Sequence, residues 1–146
     1  MISPSVNILV KCPLAVPEII RGVKMAAQKE KKIRSTVEIN VVGDTEIQEL
    51  NRRYRGLNKP TDVLSFSWQE DDAVPSASLG QVYIDYPQIV RQARRFKVPV
   101  EEEFYRMLTH GLLHLVGHDH HEEAEAKKMF ALQESVVEAI FKSKND

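Results

Sequence analysis

The histidines of this chain are concentrated in one short stretch. The sequence holds five of them: His110, His114, His118, His120 and His121. On a helix, His110 and His114 stand at i and i+4, so both imidazoles leave the same face one turn apart, close enough to share one metal ion. Gly117 can end that helix in a left-handed conformation at low steric cost, which lets the chain turn back and bring His120 to the same ion. The spacing predicts a three-histidine metal site with room for a water molecule in the fourth tetrahedral position.

The third ligand has alternatives within the same stretch. His118 or His121 could take the place of His120, since each follows the same predicted turn. A fortuitous cluster or a histidine-rich tract of low complexity is a weaker interpretation, because core-type residues such as Leu112 and Leu113 alternate with the histidines.

The residue at position 111 helps to decide which reaction such a metal site could catalyse. Zinc proteases with this spacing carry H-E-x-x-H-x-x-G-x-x-H, in which the glutamate after the first histidine is the general base. This chain has Gly111 there. Glycine has no side chain that accepts a proton, so we expect a metal site that serves a hydrolysis other than that of peptides, or that serves no reaction.

The composition is that of a globular protein. The chain has 146 residues, of which 42% are hydrophobic and 28% are charged, and we expect one domain spanning residues 1–146. Cys12 is the only cysteine, and the sequence shows neither a signal peptide nor an apolar run long enough to cross a membrane. These features predict a cytoplasmic protein without a membrane partner.

The net charge of -1 conceals an uneven distribution. Basic residues outnumber acidic ones up to residue 100, and the reverse holds after it. The basic residues cluster at positions 29–34, 52–55 and 91–97. Such clusters are usually solvated faces, and the alternative is a surface that binds a polyanion.

Hydrophobic periodicity places the histidines in an α+β fold. We predict strands at residues 6–10, 36–42, 63–68 and 79–85, and a polar excursion at residues 69–78. Helices are predicted from Pro17, from an N-cap at Asp44, from Asp85 through Phe96, from Pro99 through the histidines, and over residues 122–142. The order β-α-β-α-β-β-α-α-α predicts a mixed sheet of about four strands with about five helices, the histidine helix packing on one face.

The last helix shows an apolar stripe that we interpret as core. It comprises Ala126, Met129, Phe130, Gln133, Val137, Ile140 and Phe141.

Three motifs together resemble one family. The stretch from His110 to His120, preceded by Tyr54-Arg55-Gly56 and by Pro-Thr-Asp-Val-Leu-Ser-Phe at residues 60–66, is similar to the YbeY endoribonucleases that act in ribosomal RNA maturation. His118 stands where that family usually has tyrosine. Gln81 stands where an acidic residue commonly follows Leu-Gly.

The resemblance implies a function. It implies one Zn2+ ion held by His110, His114 and His120, and a phosphate-gripping role for Arg55, whose guanidinium can bind a phosphate with two hydrogen bonds. It further implies a single-strand-specific endoribonuclease that acts on precursor rRNA at the 16S 3' end and in ribosome quality control, with the small ribosomal subunit and its associated factors as partners. We expect Arg55 and His114 to be the catalytic residues.

The mechanism expected from this resemblance is metal-assisted cleavage of an RNA phosphodiester. Zinc acts as a Lewis acid or activates water, and Arg55 stabilises the charge that develops at phosphorus. The general base is unassigned, with Asp119 and a group of the substrate as the alternatives. Two other functions compete: a non-catalytic, zinc-stabilised ribosome-assembly factor that binds RNA and, less favoured because of Gly111, a metalloprotease.

Overall fold

A four-stranded mixed sheet forms the centre of the fold. The computed structural model describes residues 1–67 and 78–145, with side chains as far as residue 142. The strands of this part of the chain are β1 (Ile2–Ile8), β2 (Ser35–Val42), β3 (Val63–Ser67) and β4 (Ser78–Asp85), and their order in the sheet is β1-β2-β4-β3. β1, β2 and β4 run parallel, and the edge strand β3 pairs antiparallel with β4.

The helices follow the strands in the predicted order, with β3 and β4 consecutive. They are α1 (Val16–Lys29), α2 (Asp44–Arg55), α3 (Tyr86–Phe96), α4 (Val100–Leu115) and α5 (Glu123–Asn145). The α+β class, the mixed sheet and the order of elements are therefore confirmed. The described helices include none that is long and apolar enough to span a bilayer.

The sheet buries a different set of residues on each face. The larger core joins Ile39 and Val41 of β2 to α1, α4 and α5, and a smaller cluster joins Val42 to Ile47 of α2 and Leu64 of β3. Alternation along β2 accounts for this division, because successive side chains of a strand point to opposite faces. The histidine helix α4 therefore packs on one face, as predicted, and α2 packs on the other.

The first strand differs from its prediction. Apolar residues suggest a strand at residues 6–10, but parallel pairing with β2 begins at Ile2, opposite Ser35, and ends at Ile8, opposite Val41. The first and last residues of β1 are fixed by backbone pairing with β2. The hydrophobic pattern of the sequence carries no information about that pairing. Leu9 follows the strand and is exposed.

The start of α2 also differs. Gly43 is the N-cap, and Asp44 is the first helical residue without a side-chain capping bond. Its carboxylate instead accepts hydrogen bonds from Arg91 of α3, with an Nη2–Oδ1 distance of 2.7 Å. The hydrogen bond from Arg91 lowers the pKa of Asp44 to about 2.

Two predicted segments include residues outside the described ranges 1–67 and 78–145. Trp68, predicted to end a strand, and residues 69–77 of the predicted excursion lie outside the described residues. Ser78, the last residue of that excursion, begins β4.

Candidate metal centre

The end of α4 brings three histidines together. α4 ends at Leu115, and Gly117 adopts a φ of 97°, the left-handed conformation expected of it. The amide of His118 donates to the carbonyl of Leu113 at 3.0 Å, which holds the reversal in place. After this turn, one ligand atom from each of His110, His114 and His120 lies within 4.8 Å of the others.

The spacing of these nitrogens fits a shared ion. The Nε2 atoms of His110 and His114 are 3.1 Å apart. Two nitrogens bound to one tetrahedral zinc at their usual distances lie about 3.3 Å apart. Three imidazoles are also a donor set that zinc prefers over hard cations such as Mg2+. The three residues can therefore hold a metal ion with little adjustment.

His114 is held in the state that binds metal. Burial lowers the pKa of His114, and the neighbouring His110 and His120 lower it further. A neutral imidazole offers a nitrogen lone pair, whereas the protonated ring offers none. The position of His114 thus favours the form needed for coordination.

His110 has a partner that the sequence did not identify as functional. Its Nδ1 lies 2.9 Å from Oε1 of Gln133 on α5. Gln133 is buried, with 4% of its surface exposed. The sequence places Gln133 in the apolar stripe, and a glutamine in the middle of such a stripe is the signal that could have revealed its role.

The two remaining histidines have other contacts. His118 Nε2 lies 2.6 Å from a carboxylate oxygen of Glu30, at the end of α1, and both side chains are largely buried. Burial favours the protonated carboxyl of Glu30, but the hydrogen bonds from His118 and from the Lys32 amide, with the nearby positive charges, together lower the Glu30 pKa. His121 is 82% exposed, 3.4 Å from Asp119. Neither belongs to the three-histidine cluster, so the geometry favours His120 as the third ligand.

Asp119 shapes the turn between the ligands. Its Oδ1 accepts a hydrogen bond from the backbone amide of His120 at 2.7 Å. That bond lowers the pKa of Asp119, so the group remains a carboxylate. This contact positions His120, and it makes Asp119 a weak proton acceptor.

Phe130 of α5 belongs to the apolar stripe that was predicted to be core, and that prediction is wrong for this residue. It is half-exposed. Its ring stacks on His110 and on His120, with centroid distances of 6.3 Å and 6.1 Å. The side chain therefore covers one flank of the histidine cluster rather than filling the core.

A large cavity opens beside His114. It has a volume of about 950 Å³ and lies where α1 and α4 end and where β2 and β4 begin. Its wall includes three basic residues of the predicted cluster at positions 29–34: Lys31, Lys32 and Arg34. Glu30 lines the same cavity. Among the described residues none of the three basic side chains forms an ion pair within 4.0 Å, so the described wall carries more positive than negative charge.

Arg55 is not among the described residues that line this cavity. It is the exposed last residue of α2, on the opposite face of the sheet from α4. The preceding Tyr54 contacts Phe66 of β3, and Ser67 next to Phe66 lines the cavity. Arg55 thus lies toward the same end of the sheet, across the edge strand.

The basic residues near Arg55 are engaged within α2. Arg52 and Arg53 both pair with Glu49, at 2.5 Å and 3.6 Å. This cluster resembles the one at positions 29–34 in sequence, and Glu49 offsets part of its positive charge.

Gln81, at the position where an acidic residue was expected from the resemblance, is also paired. Its side-chain amide donates to Glu38 of β2. That contact lies on the strand face opposite Val82, away from α4.

Gly111 lies where α4 packs tightly against the sheet. A Cβ atom at this position would lie 2.8 Å from Val82 Cγ1, 3.1 Å from Ser65 Oγ and 3.1 Å from Val63 Cγ2. The hydroxyl of Ser65 donates to the Gly111 carbonyl at 2.9 Å. The glutamate of the zinc proteases therefore has no space in this fold.

The fold and the site define a class of protein: an α+β domain in which two histidines of the central helix and one from the following turn cluster beside a cavity with basic walls. The chain matches the family described as Endoribonuclease YbeY over residues 11–140. It belongs to the YbeY family. The resemblance noted from the motifs is thereby confirmed.

Individual relatives agree with the family match. The Endoribonuclease YbeY of Persephonella marina is 44% identical over 108 residues, covering 71% of this chain and 69% of the relative. That of Malacoplasma penetrans is 40% identical over 110 residues, covering 74% and 73%. A solution structure of a Thermotoga maritima protein superposes with a TM-score of 0.65 at 30% identity, covering 97% of this chain and 92% of the other.

Proposed function

We propose that this chain is a zinc-dependent endoribonuclease that cleaves single-stranded RNA. The observation that carries the proposal is the cluster of His110, His114 and His120, of which His114 lines a cavity with several basic residues in its wall. Membership of the YbeY family, whose relatives bear the name endoribonuclease, supports RNA as the substrate. Family resemblance also supports a role at the 3' end of 16S rRNA and in ribosome quality control, with the small ribosomal subunit as partner.

Each part of the site has a role in this reaction. His110, His114 and His120 hold the ion, and zinc supplies Lewis acidity toward a phosphate oxygen or a water molecule. Lys31, Lys32 and Arg34 bind backbone phosphates of the RNA in the cavity. Arg55 grips a phosphate from the far side of the edge strand β3 and offsets the charge that develops at phosphorus.

Cleavage of a labelled single-stranded RNA by zinc-loaded protein tests the catalytic part. We expect His114→Ala and Arg55→Ala to lower the rate at least roughly hundredfold, the order found when one charge-stabilising group is removed. His121→Ala and Arg53→Ala are the matched controls, because His121 is exposed outside the cluster and Arg53 pairs with Glu49. Equal loss in the controls, or cleavage that survives both test substitutions, contradicts these roles.

The basic wall is tested by the salt dependence of RNA binding. Each protein–phosphate interaction with a single strand contributes about 0.7 to the slope of log affinity against log salt. Lys31→Glu with Lys32→Glu should reduce the slope by at least that amount, whereas Arg52→Glu with Arg53→Glu should change it little. A reduced slope for the arginine pair and an unchanged slope for the lysine pair would show that RNA binds at α2 instead.

A non-catalytic role in ribosome assembly is the second candidate. It is favoured by the two carboxylates beside the turn, since Glu30 is bound by His118 and Asp119 by the amide of His120. Neither is poised to accept a proton. Zinc-loaded protein that binds ribosomal particles but leaves both single-stranded RNA and a 16S precursor intact would establish this function in place of the nuclease. Peptide cleavage is disfavoured by the packing around Gly111.

A further inference from the structure

A chain of polar contacts leads from His110 along the contact between α4 and α5, through the buried Gln133 to the half-exposed Glu134. His110 Nδ1 meets Gln133 Oε1 at 2.9 Å, and Gln133 Nε2 donates to Oε2 of Glu134 at 3.3 Å. Arg106, four residues before His110 on α4, donates to both oxygens of Glu134, each at 2.9 Å. The contacts join α4 to α5, and Arg106 lies one turn before His110 on the same face of α4.

The orientation of the Gln133 amide decides which proton His110 carries. If the amide oxygen faces Nδ1, that nitrogen must be the donor and Nε2 keeps its lone pair. If the amide were turned over, Nδ1 would accept and the proton would lie on Nε2, where it blocks coordination. The turned amide would also place its oxygen against the Glu134 carboxylate, so two acceptors would face each other.

Glu134 is itself fixed. The hydrogen bond from Arg106 lowers the Glu134 pKa, so it is an acceptor only. Arg106 is held in turn by Glu103, whose side chain is 3% exposed, at 2.9 Å. Gln92 of α3 donates to the other oxygen of Glu103 at 2.9 Å. The amide orientation is therefore anchored through two helices.

We propose that Gln133 is a positioning residue that holds neutral His110 as the tautomer with its proton on Nδ1 and its lone pair on Nε2, with Glu134 and Arg106 fixing the amide. Partners of this kind orient ligating histidines in metal sites, and their loss typically lowers metal affinity 10- to 100-fold. The proposal rests on the metal-binding part of the proposed function. It does not depend on RNA cleavage.

The tautomer can be read directly in the zinc-free protein. Two-bond nitrogen–proton correlation spectra distinguish Nδ1–H from Nε2–H in neutral imidazoles. We expect His110 of the wild type to show its proton on Nδ1 and to shift toward Nε2–H in Gln133→Leu, which keeps the shape and removes the acceptor. A wild-type His110 with its proton on Nε2 overturns the proposal even if the variant fails to fold.

Zinc affinity gives the second readout, measured by competition with a chelating dye. Gln133→Leu should bind zinc about 10- to 100-fold more weakly. Gln133→Glu combined with Glu134→Gln keeps an oxygen acceptor for His110 and gives the second oxygen an amide donor at position 134, so it should restore binding to within about threefold of the wild type. Gln48→Leu, a matched substitution on α2 outside this chain of contacts, should leave the affinity unchanged. Unaltered affinity in Gln133→Leu, or equal loss in the double variant, overturns the positioning role.

These outcomes separate the two proposals. A protein that shows the expected tautomer and zinc affinities but cleaves no RNA would refute the nuclease function alone. A protein that cleaves RNA with zinc, while Gln133→Leu binds zinc normally, would refute the positioning role alone.

Discussion

The two faces of α4 differ in what they contact, although the residues that define them are neighbours in sequence. On one face His110 and His114 direct their Nε2 atoms toward each other, 3.1 Å apart, beside an open cavity. On the other, Gly111 lies so close to Val82 and Ser65 that a Cβ atom has no room. One face of α4 carries two metal-ligand candidates, and the other packs against the sheet.

This contrast explains the missing glutamate. In the zinc proteases the position after the first histidine carries the general base. Here the same position is used for packing, so a carboxylate cannot be added without moving the helix. The packing of α4 on the sheet therefore requires a residue without a side chain at position 111. This disfavours the peptide hydrolysis that depends on a glutamate there.

Substitution at Gly111 should have the largest effect. We expect Gly111→Glu to lower the free energy of unfolding by more than about 4 kcal/mol, because it forces a charged side chain into a packed interface. Gly111→Ala should cost about 1 to 2 kcal/mol, since helix propensity offsets part of the overlap. Urea unfolding followed by circular dichroism measures both, and a stable Gly111→Glu protein would contradict the packing account.

Substitution of a metal-ligand candidate should reduce the stability that the protein gains from zinc. At a free zinc concentration a hundredfold above the dissociation constant, the wild type gains about 2.7 kcal/mol of stability. His110→Ala should lose most of that gain. The zinc-free variant should also lose about 1 to 3 kcal/mol of stability, because the buried Gln133 loses its partner. Thermal unfolding with and without zinc gives the comparison, with His121→Ala as control. Equal stabilisation of His110→Ala by zinc would place the ion elsewhere.

Ser65 should show the smallest effect. Its hydroxyl supplements a helix carbonyl, and we expect Ser65→Ala to cost about 0.5 to 1 kcal/mol. Zinc affinity should not change, because the contact lies on the packing face. Ser5→Ala, at an exposed position of β1, is the control for removal of a hydroxyl. A change in zinc affinity for Ser65→Ala would show that the two faces are coupled.

Local rules predicted much of this arrangement. The i, i+4 spacing places His110 and His114 on one face of any α-helix, and Gly117 takes the left-handed turn that brings His120 back. These features depend on residues close together in the chain. The element order followed from periodicity for the same reason.

Contacts between distant segments were not predictable in this way. The pairing of His118 with Glu30 joins residues 88 positions apart, and the bond between Gln133 and His110 joins α5 to α4. Both depend on how helices pack after the chain has folded. The position of Arg55 across the edge strand likewise follows from topology, which motif spacing does not contain.

X-ray absorption at the zinc edge tests the central claim most directly. Protein loaded with one equivalent of zinc should show three imidazole nitrogens at about 2.0 to 2.1 Å. His120→Ala should reduce that number to two, whereas His118→Ala should leave it at three. Zinc bound without imidazole ligands, or wild-type protein that takes up no stoichiometric zinc, would contradict the assignment of this histidine cluster as the metal centre.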